Sequence, residues 1–472
     1  MGAAADIKPD AAMAGVPGTP SMSASLADFA LGLRLEDVPV TLVAKCKGHL
    51  LDGLGIALAS SGFEFAEPIL KGASALGRGT DAHCLASGAA LPAAGAALVN
   101  GTLIHGLDFD DTHIGAIYHA TAPALAAALA AGEAAAADGR SLLTATIAAM
   151  EIGCRLARAA EGGFHDRGFH PTALCGAFAA VFAAGRLMGA DRAELVSATG
   201  LCGSMAAGLL ELKDSWLKRM HPGWAAHSGV AATSIAMSGF KGPPTMLEGG
   251  HGFYHAHLSH GPGESVSPVR ALGDEWLIAG IALKPYPCCH FIHGFVDCAL
   301  HLRDQVALDE IESIDCPLSP RLHHMVSGPS RPADPYSALF STPYVVALAL
   351  VTGRIDLAAF HDRGVRDAAV LALSDRTTCS EDRTSDFPIH FPGEVRITLK
   401  SGRVVMHRVA TSFGTPERPL STSDIEAKFM ANATRVMSRN EAERIVRSVS
   451  EIESMKSVSE LLEMCRVSSA AS

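Results

Sequence analysis

The segment from about residue 24 to residue 275 is a succession of apolar, helix-length stretches built largely from alanine, leucine and glycine. Apolar residues recur in them with helical spacing, and breakers such as ADGR and KGPP separate them. Because small side chains let helix axes approach closely, the pattern predicts a dense bundle of helices. The predicted helices cover residues 26–33, 38–60, 91–103, 123–137, 141–160, 171–188, 192–210 and 224–240.

The pattern changes near residue 276. Residues 311–319 and 391–411 alternate apolar and polar side chains, the latter around a Ser-Gly turn, which is typical of strands and a hairpin. Helices are predicted near residues 290–304 and 335–351. Charged amphipathic helices return from residue 421 to residue 466.

This change predicts two domains in a mainly α protein. We expect a large all-helical domain from residues 23–275 and 415–472, and a smaller α+β domain from residues 276–414. The first 22 residues mix alanine, proline and glycine without a long apolar core, so they do not resemble a signal peptide. Residues 1–22 are expected to form a flexible N-terminal arm.

Composition narrows the class of partner. The chain has 472 residues, 48% hydrophobic and 18% charged, and a net charge of −11, so we expect a soluble globular protein that binds no nucleic acid. The alanine-rich run from Ala120 is weakly apolar and interrupted by Glu133 and Asp138, so we expect a packed helix and no membrane span. The eleven scattered cysteines lack CxxC spacing, which favours the reducing cytoplasm.

The stretch HGLDFDDTH, residues 105–113, concentrates ionisable groups in apolar surroundings. If it is helical, one face carries His105, Asp108 and Asp111 or Thr112. The acids could instead cap the helix that follows. Isolated buried charges cost several kcal/mol each, so a cluster of this size more readily indicates a functional site.

A second candidate group lies in GFHPTA. His170 precedes a long apolar helix that opens at Pro171. The amides and dipole at a helix start favour a bound carboxylate and disfavour imidazolium, so His170 is predicted to be neutral and able to accept a proton. The alternative is that His170 is an ordinary loop residue before the helix.

A third group lies in LKDSWLKRMHPGWAAHSG, where Lys218 and His221 precede a helix that is predicted to open at Pro222. An ammonium beside a helix start offers a second place for an anion. Lys213 and Arg219 in the same stretch could simply be solvated, because lysine and arginine are mostly exposed.

The fourth group is LKPYPCCHFIHG, in which two prolines predict a rigid entry and Lys284 is presented by a strand end. Cys288, Cys289 and His290 raise the alternatives of a thiol nucleophile or a metal site. Neighbouring cysteines point apart on a helix, and a third soft ligand is missing at zinc spacing. We therefore predict no metal site.

These motifs occur together in one known family. The blocks NGTLIHGLDFDDTH, GFHPTA, KRMHPGWAAHSG, LKPYPCCHFIHG and ALFSTPYVVALALVTG have the order and approximate spacing of the MmgE/PrpD family, which the chain resembles over nearly everything after residue 23. That family includes 2-methylcitrate dehydratase, cis-aconitate decarboxylase and iminodisuccinate epimerase. The resemblance implies a large all-helical domain plus a smaller α+β lid domain, commonly a homodimer, with no metal or organic cofactor.

The resemblance also implies site residues. The decarboxylase pattern matches the following positions: Asp108, Thr112, His170, Lys218, Lys284 and Tyr344. His119 matches the histidine after the acidic motif, although the spacer has an extra residue and Ala120 stands where proline is common. The dehydratase members carry DFND where this chain has DFDD, which favours the decarboxylase-like or epimerase-like branch.

The members share a substrate with two or three carboxylates and a proton moved at a carbon next to one of them. We therefore expect a cofactor-independent lyase or isomerase, performing cis-aconitate-type decarboxylation or 2-methylcitrate-type dehydration, with iminodisuccinate-like epimerisation as the alternative. The expected catalytic residues are Asp108, His119, His170 and Tyr344, and the expected substrate-binding residues are Thr112, Lys218, His221 and Lys284. We expect His170, Lys218, Lys284 and Asp108 to surround one anion-sized site.

Two hypotheses come from other classes. The acidic motif DFDDTH also fits a magnesium-dependent enzyme that acts on a diphosphate, but a second metal motif is not evident and aromatic residues are only 6% of the chain. A non-enzymatic helical scaffold would bind no small molecule. A thermal-shift screen with polycarboxylates separates that hypothesis from the enzyme.

Overall fold

The computed structural model describes residues 20–213, 215–263, 267–361, 365–387 and 390–467. Most of these residues are helical, and the strands form small sheets. This confirms the predicted fold class, a mainly α protein with a smaller α+β part.

The helices and strands are numbered in chain order. The helices are α1 (Met22–Gly32), α2 (Val40–Ser60), α3 (Ala66–Leu76), α4 (Ala93–His105), α5 (Thr121–Ala134), α6 (Gly139–Arg158), α7 (Gly163–Asp166), α8 (Pro171–Met188), α9 (Arg192–Cys202), α10 (Leu217–Met237), α11 (Phe253–Leu258), α12 (His293–Leu302), α13 (His323–Val326), α14 (Pro335–Ala338), α15 (Thr342–Thr352), α16 (Leu357–His361), α17 (Ala368–Ser374), α18 (Thr422–Ala433), α19 (Arg439–Ser450) and α20 (Val458–Met464). The strands are β1 (Ala82–His83), β2 (Ala90–Leu91), β3 (Thr112–His113), β4 (Ile281–Ala282), β5 (Ile311–Asp315), β6 (Thr377–Thr378), β7 (Gly393–Leu399) and β8 (Val404–Val409).

The chain divides into two compact units. Of the described residues, those within Met1–Gly106, Gly115–Ala279 and Phe429–Ser472 form the first, and those within Leu107–Ile114 and Gly280–Lys428 form the second. The predicted boundaries had left residues 107–114 in the helical domain. They belong to the second unit because Thr112 and His113 pair in β3 with β4.

The predicted N-terminal arm, residues 1–22, lies outside the described residues except for its last three. There the chain is already ordered as the start of α1, because the Ser21 hydroxyl accepts the Ala24 N–H as an N-cap. The predicted return to helices at the other end of the chain is present as α18, α19 and α20, and within the first unit α19 packs on α2 and α20 packs on α5.

Four helices form the centre of the first unit. Helix α10 packs along α8 and α4, and α5 packs against the same two helices. The crossing of α4 and α10 is made by backbone, since a Cβ at Gly101 would lie 2.7 Å from the Cα of Gly223, and a Cβ at Gly223 would overlap the Leu98 carbonyl. Small residues therefore set how closely these helices approach, as the sequence predicts.

Helix α8 occupies the range that the sequence predicts. His170 is its N-cap, Pro171 is its first residue, and Gly189 follows it with a left-handed φ of 79°. The helix is long and apolar enough to cross a membrane, but most of it is buried in the first unit. A core helix of this kind meets the same length and composition criteria.

Three predicted helices differ from the structure in where they begin or end. Helix α10 begins at Leu217, and Pro222 lies inside it; the ring removes one backbone donor, but the surrounding helices hold the first turns in place. Helix α9 ends at Cys202, because Gly203 packs against Met246 and the chain leaves the helix there. The predicted helix over residues 335–351 is divided into α14 and α15 by a new N-cap at Ser341.

The second unit contains a four-stranded sheet in the order β6-β5-β7-β8. Strands β5 and β6 are parallel and the other pairs are antiparallel. The predicted hairpin is β7 and β8, joined by a turn in which Gly402 has a φ of 81°. Helices α12 and α15 pack on each other, and α12 also packs on β7 and β8, which encloses the core of this unit.

Candidate functional site

Four buried histidines meet within the first unit. Each comes from a different element: His105 is the last residue of α4, His119 precedes α5, His170 caps α8, and His221 lies in the first turns of α10. None of these side chains is more than 6% exposed. The helices of the central packing group therefore deliver all of them to one place.

The rings are in close contact. The ring centroids are 4.6 Å apart for His105 and His119, 5.9 Å for His105 and His170, and 5.8 Å for His119 and His170. Nδ1 of His170 lies 3.0 Å from Nδ1 of His221, which is hydrogen-bond distance. The His119 backbone N–H donates to the Thr172 hydroxyl over 3.0 Å, which fixes the chain before α5 to the first turn of α8.

This environment keeps two of the rings uncharged at neutral pH. Burial is the main cause that holds the pKa of His170 well below its ordinary value. Four neighbouring groups that are positively charged when protonated add to that effect: His119, His221, Lys218 and His105. Burial also lowers the pKa of His221 to about 4, with further contributions from His105 and Lys218. His170 is therefore a neutral imidazole, able to accept a proton.

Lys218 is the ammonium group of this cluster. It is half-buried on α10, three residues before His221, and its charge lowers the pKa of both His170 and His221. A cation that disfavours imidazolium in its surroundings will attract a carboxylate to the same surroundings. The first unit thus brings together the predicted residues His119, His170, Lys218 and His221.

The second unit contains a buried ion pair between two further predicted residues. Lys284 Nζ lies 2.9 Å from Asp108 Oδ1 and also donates to the Asp108 carbonyl oxygen over 2.8 Å. Both side chains are almost wholly buried, at 2% and 4% exposure. Asp108 has a left-handed φ of 50°, a conformation that Asp and Asn tolerate better than other side chains do.

The acidic stretch itself is not helical. Helix α4 ends at His105, and the chain turns before Thr112 and His113 pair with Ala282 and Ile281. The prediction that His105 and Asp108 share one helix face is therefore wrong, because the chain leaves the helix before it reaches Asp108. Thr112 is buried in β3, opposite the strand that ends two residues before Lys284.

Tyr344 lies in the core of the second unit. Its backbone N–H donates to the Ser341 hydroxyl at the start of α15, and its ring packs near Phe360 with centroids 6.2 Å apart. Burial, with a smaller contribution from Asp367, raises the pKa of the phenol to about 12. These contacts make Tyr344 a core residue, and its catalytic role stays a prediction.

Two histidines were not singled out from the sequence. His105 was noted in the acidic stretch but not assigned a role, and only its position at the buried end of α4 brings it to His119 and His170. His293 begins α12, and burial followed by the charge of Lys284 lowers its pKa to about 3. The signal for His293 was its place in LKPYPCCHFIHG, the stretch that carries Lys284.

The predicted alternatives at Cys288 and Cys289 gain no support. Both thiols are buried, and burial raises the pKa of Cys288 well above its ordinary value, which is the opposite of what a thiol nucleophile needs. The histidines of the first unit are the better metal-ligating set. His105, His119 and His170 each offer one nitrogen, and these atoms all lie within 4.8 Å of one another.

Two family models match the chain. The MmgE/PrpD N-terminal domain matches residues 24–264, and the MmgE/PrpD C-terminal domain matches residues 286–453. The first match covers the histidine cluster with Lys218, and the second begins two residues after Lys284. The family that the motifs predict is therefore confirmed.

Several named relatives match between 65% and 94% of the chain. A cis-aconitate decarboxylase-like protein of Aspergillus oryzae is 27% identical over 468 residues, which cover 94% of this chain and 96% of the relative. The cis-aconitate decarboxylase of Mus musculus is 27% identical over 465 residues, 94% of this chain and 93% of the relative. A 2-methylcitrate dehydratase of Cupriavidus necator is 28% identical over 337 residues, 65% of this chain and 67% of the relative. The predicted enzyme class, a lyase, agrees with all of these names.

Proposed function

The chain belongs to the MmgE/PrpD family, and we propose that it is a cofactor-independent lyase for a small di- or tricarboxylate, with cis-aconitate-type decarboxylation as its reaction. The decarboxylase relatives support this choice because they match 94% of the chain, whereas the dehydratase matches 65%. Dehydration of a 2-methylcitrate-type substrate is the second candidate. The relatives do not favour the epimerase, the magnesium-dependent diphosphate enzyme or the non-enzymatic scaffold.

The observation that carries the proposal is the pair His170 and His221 beside Lys218. A lyase of this kind must move a proton at a carbon next to a carboxylate, and such a carbon is a weak acid. The pair supplies buried imidazoles for the proton, and the ammonium supplies charge for the carboxylate. A buried site strengthens both contributions because water does not screen them.

The electrostatics of the cluster change when an anion arrives. Without substrate, burial and neighbouring cations keep His170 neutral. A polycarboxylate placed beside His170 reverses the sign of the local field, so the pKa of the ring rises and the ring takes up a proton. His170 can then act as the acid that a decarboxylation requires.

Decarboxylation would proceed in two steps at His170, His221 and Lys218. The bond between the substrate carbon and the departing carboxylate breaks, CO₂ leaves, and the electron pair stays on carbon, delocalised toward a remaining carboxylate. Protonated His170 then delivers its Nε2 proton to carbon and returns to the neutral form, whose Nδ1 hydrogen stays in the 3.0 Å contact with His221. The ammonium of Lys218 stabilises the negative charge that develops in between.

For the second unit the proposed roles rest on the family pattern. Asp108 and Lys284 hold each other in a buried ion pair, so we propose that Asp108 orients this lysine. Substrate binding by Lys284 and Thr112, and catalysis by Asp108 and Tyr344, are proposals that single variants test one at a time.

Proton NMR in D₂O tests the reaction. EDTA-treated protein is incubated separately with cis-aconitate, 2-methylcitrate and iminodisuccinate, with His170→Gln as the matched inactive control. We expect CO₂ release from cis-aconitate and one solvent-derived deuterium on carbon in the product. Water loss from 2-methylcitrate alone would replace the first candidate with the second. Turnover of none of the three substrates, or equal turnover by His170→Gln, would reject the proposal.

We also propose a cytoplasmic homodimer, as the resemblance and the cysteine usage imply. The cysteines form no disulfide within the described residues, which is compatible with a reducing compartment. Light scattering after size-exclusion chromatography tests the dimer, and a single species at the mass of one chain would reject it.

A further inference from the structure

The histidine cluster has a property that the proposed reaction does not use. His105, His119 and His170 approach one another from three directions, and one nitrogen of each lies within 4.8 Å of the others. All three side chains are buried. Acid–base chemistry at His170 with His221 as its partner needs only two imidazoles, so the convergence of two more rings asks for a second explanation.

We propose that His105, His119 and His170 bind one divalent transition-metal ion of the Zn²⁺ type through three imidazole nitrogens, with the fourth position of the metal open. Three histidines and an open position are a ligand set that Zn²⁺ accepts in proteins. Imidazole is also a ligand for which Zn²⁺, Cu²⁺ and Ni²⁺ compete well against Mg²⁺ and Ca²⁺. The site thus selects for transition metals.

His221 orients one of the three metal ligands, His170, through a hydrogen bond. Metal-binding histidines commonly use their second ring nitrogen in a hydrogen bond that fixes the tautomer and the ring orientation. Nδ1 of His170 lies 3.0 Å from Nδ1 of His221. When His170 donates in this bond, its Nε2 carries the lone pair that a metal requires. His221 is therefore a positioning residue for the metal.

The rings need only small movements to close around the ion. Ligand nitrogens at about 2.0 to 2.1 Å from a tetrahedral Zn²⁺ are about 3.3 Å apart. The nitrogen–nitrogen distances, which are at most 4.8 Å, can decrease to this value when the imidazoles rotate about χ2, a torsion with a broad energy minimum in histidine. The backbones of α4, α5 and α8 can stay where they are.

Lys218 opposes the metal. Its charge disfavours a proton on His170 and His221, and the same charge disfavours a dication among these rings. Removal of the Lys218 charge should therefore strengthen the binding of the metal and weaken the binding of a polycarboxylate. This opposite response distinguishes a metal in the cluster from a metal at any other histidine of the chain.

If the proposed function is correct, metal and catalysis exclude each other, because both use the Nε2 lone pair of His170; this step rests on the proposed function. Zn²⁺ then acts as a reversible inhibitor that EDTA removes. The binding of the metal itself does not depend on the reaction, so it is measured without substrate.

The experiment titrates the full-length protein with Co²⁺ and with Zn²⁺. Visible absorption of Co²⁺ reports the coordination, because four-coordinate Co²⁺ absorbs much more strongly than six-coordinate Co²⁺, and equilibrium dialysis gives the Zn²⁺ stoichiometry. The cluster variants are His105→Gln and His119→Gln, and the matched control is His260→Gln, an exposed histidine of the same unit. Lys218→Met is titrated beside them, and circular dichroism checks the fold of every variant.

We expect one tight equivalent of Zn²⁺ and a four-coordinate Co²⁺ spectrum in the wild type and in His260→Gln. Both should be lost in the cluster variants, and the affinity of Lys218→Met should rise by at least about threefold. A six-coordinate spectrum in the wild type, or a stoichiometry unchanged in folded His105→Gln, would overturn the proposal. Tight metal binding without loss of activity would instead reject the role of His170 in the proposed function.

Discussion

Nδ1 of His170 lies 3.0 Å from Nδ1 of His221 inside the first unit. Only one of the two nitrogens can carry the shared hydrogen, so the two neutral rings must adopt opposite tautomers. The ring that donates through Nδ1 has a basic Nε2, and the ring that accepts has a protonated Nε2. When His170 donates in this contact, uptake of one proton at its Nε2 converts the outer edge of His170 from a base into an acid, while the Nδ1 hydrogen stays in the bond to His221.

The most direct test of this arrangement is His170→Gln. The amide keeps polar atoms near His221 but cannot take up a proton, so kcat/KM for cis-aconitate should fall by at least about 10²-fold. The melting temperature reports whether the fold survives. His227→Gln is the matched control. It makes the same substitution at a half-buried histidine of α10 whose ring bonds to the Ala94 carbonyl and not to another histidine. Near-wild-type turnover by folded His170→Gln would remove His170 from the mechanism.

Lys218→Met should shift the pH dependence of activity. Lys218 lowers the pKa of His170, so its removal raises that pKa. Because the proposed step needs protonated His170, the alkaline limb of kcat/KM should move to higher pH. KM for the polycarboxylate should rise as well, because a binding charge is lost. Lys213→Met, which removes an exposed lysine of the preceding segment, is the control and should leave the profile in place. An alkaline limb at the same pH in both variants would contradict the electrostatic argument.

Stability should depend on pH through the same histidines. Both His170 and His221 have folded pKa values below the ordinary 6.5, and that of His221 is about 4. Between these values the unfolded chain binds more protons, so the free energy of unfolding should fall as the pH drops from about 6.5 toward 4, and the contribution should be constant above 6.5. Urea titrations across this range measure it. His221→Gln should flatten part of the slope, and an unchanged slope would show that other groups cause it.

Removing one partner of the ion pair in the second unit should lower the free energy of unfolding far more than removing both partners. Lys284→Met leaves the Asp108 carboxylate buried without its cation, which typically costs about 3–5 kcal/mol. The double variant Lys284→Met/Asp108→Asn removes both charges and should recover most of that loss, because Asn tolerates the left-handed φ of 50° at residue 108. Urea unfolding followed by circular dichroism compares the three proteins. Additive losses in the double variant would mean that the two charges do not stabilise each other.

Elements with strong local signals were predictable from the sequence. Helix α8 was predicted at its observed bounds because proline at its first position and glycine after its end both act locally. The start of α10 was missed because Pro222 normally marks a first turn, and only packing on α8 and α4 extends the helix back to Leu217. Local signals thus located the helices, and tertiary contacts decided their ends.

The candidate site was predictable in composition but not in arrangement. The motifs identified His119, His170, Lys218 and His221, which the structure brings together in one unit. They did not identify His105 as a fourth ring, because its neighbours are distant in sequence and meet it only through the packing of α4. They also did not predict that Lys284 would hold Asp108, since the turn after α4 that makes this contact has no helical or strand pattern.

The close passage of α4 and α10 at Gly101 and Gly223 has a consequence for engineering. These helices carry His105 and His221, and contacts between main-chain atoms set their separation. A methyl group added at either glycine would therefore push the two helices apart. Libraries that seek a new substrate by enlarging the pocket should therefore return no active clones mutated at these glycines. Changes in specificity have to come from side chains that line the imidazoles, with the scaffold behind them left intact.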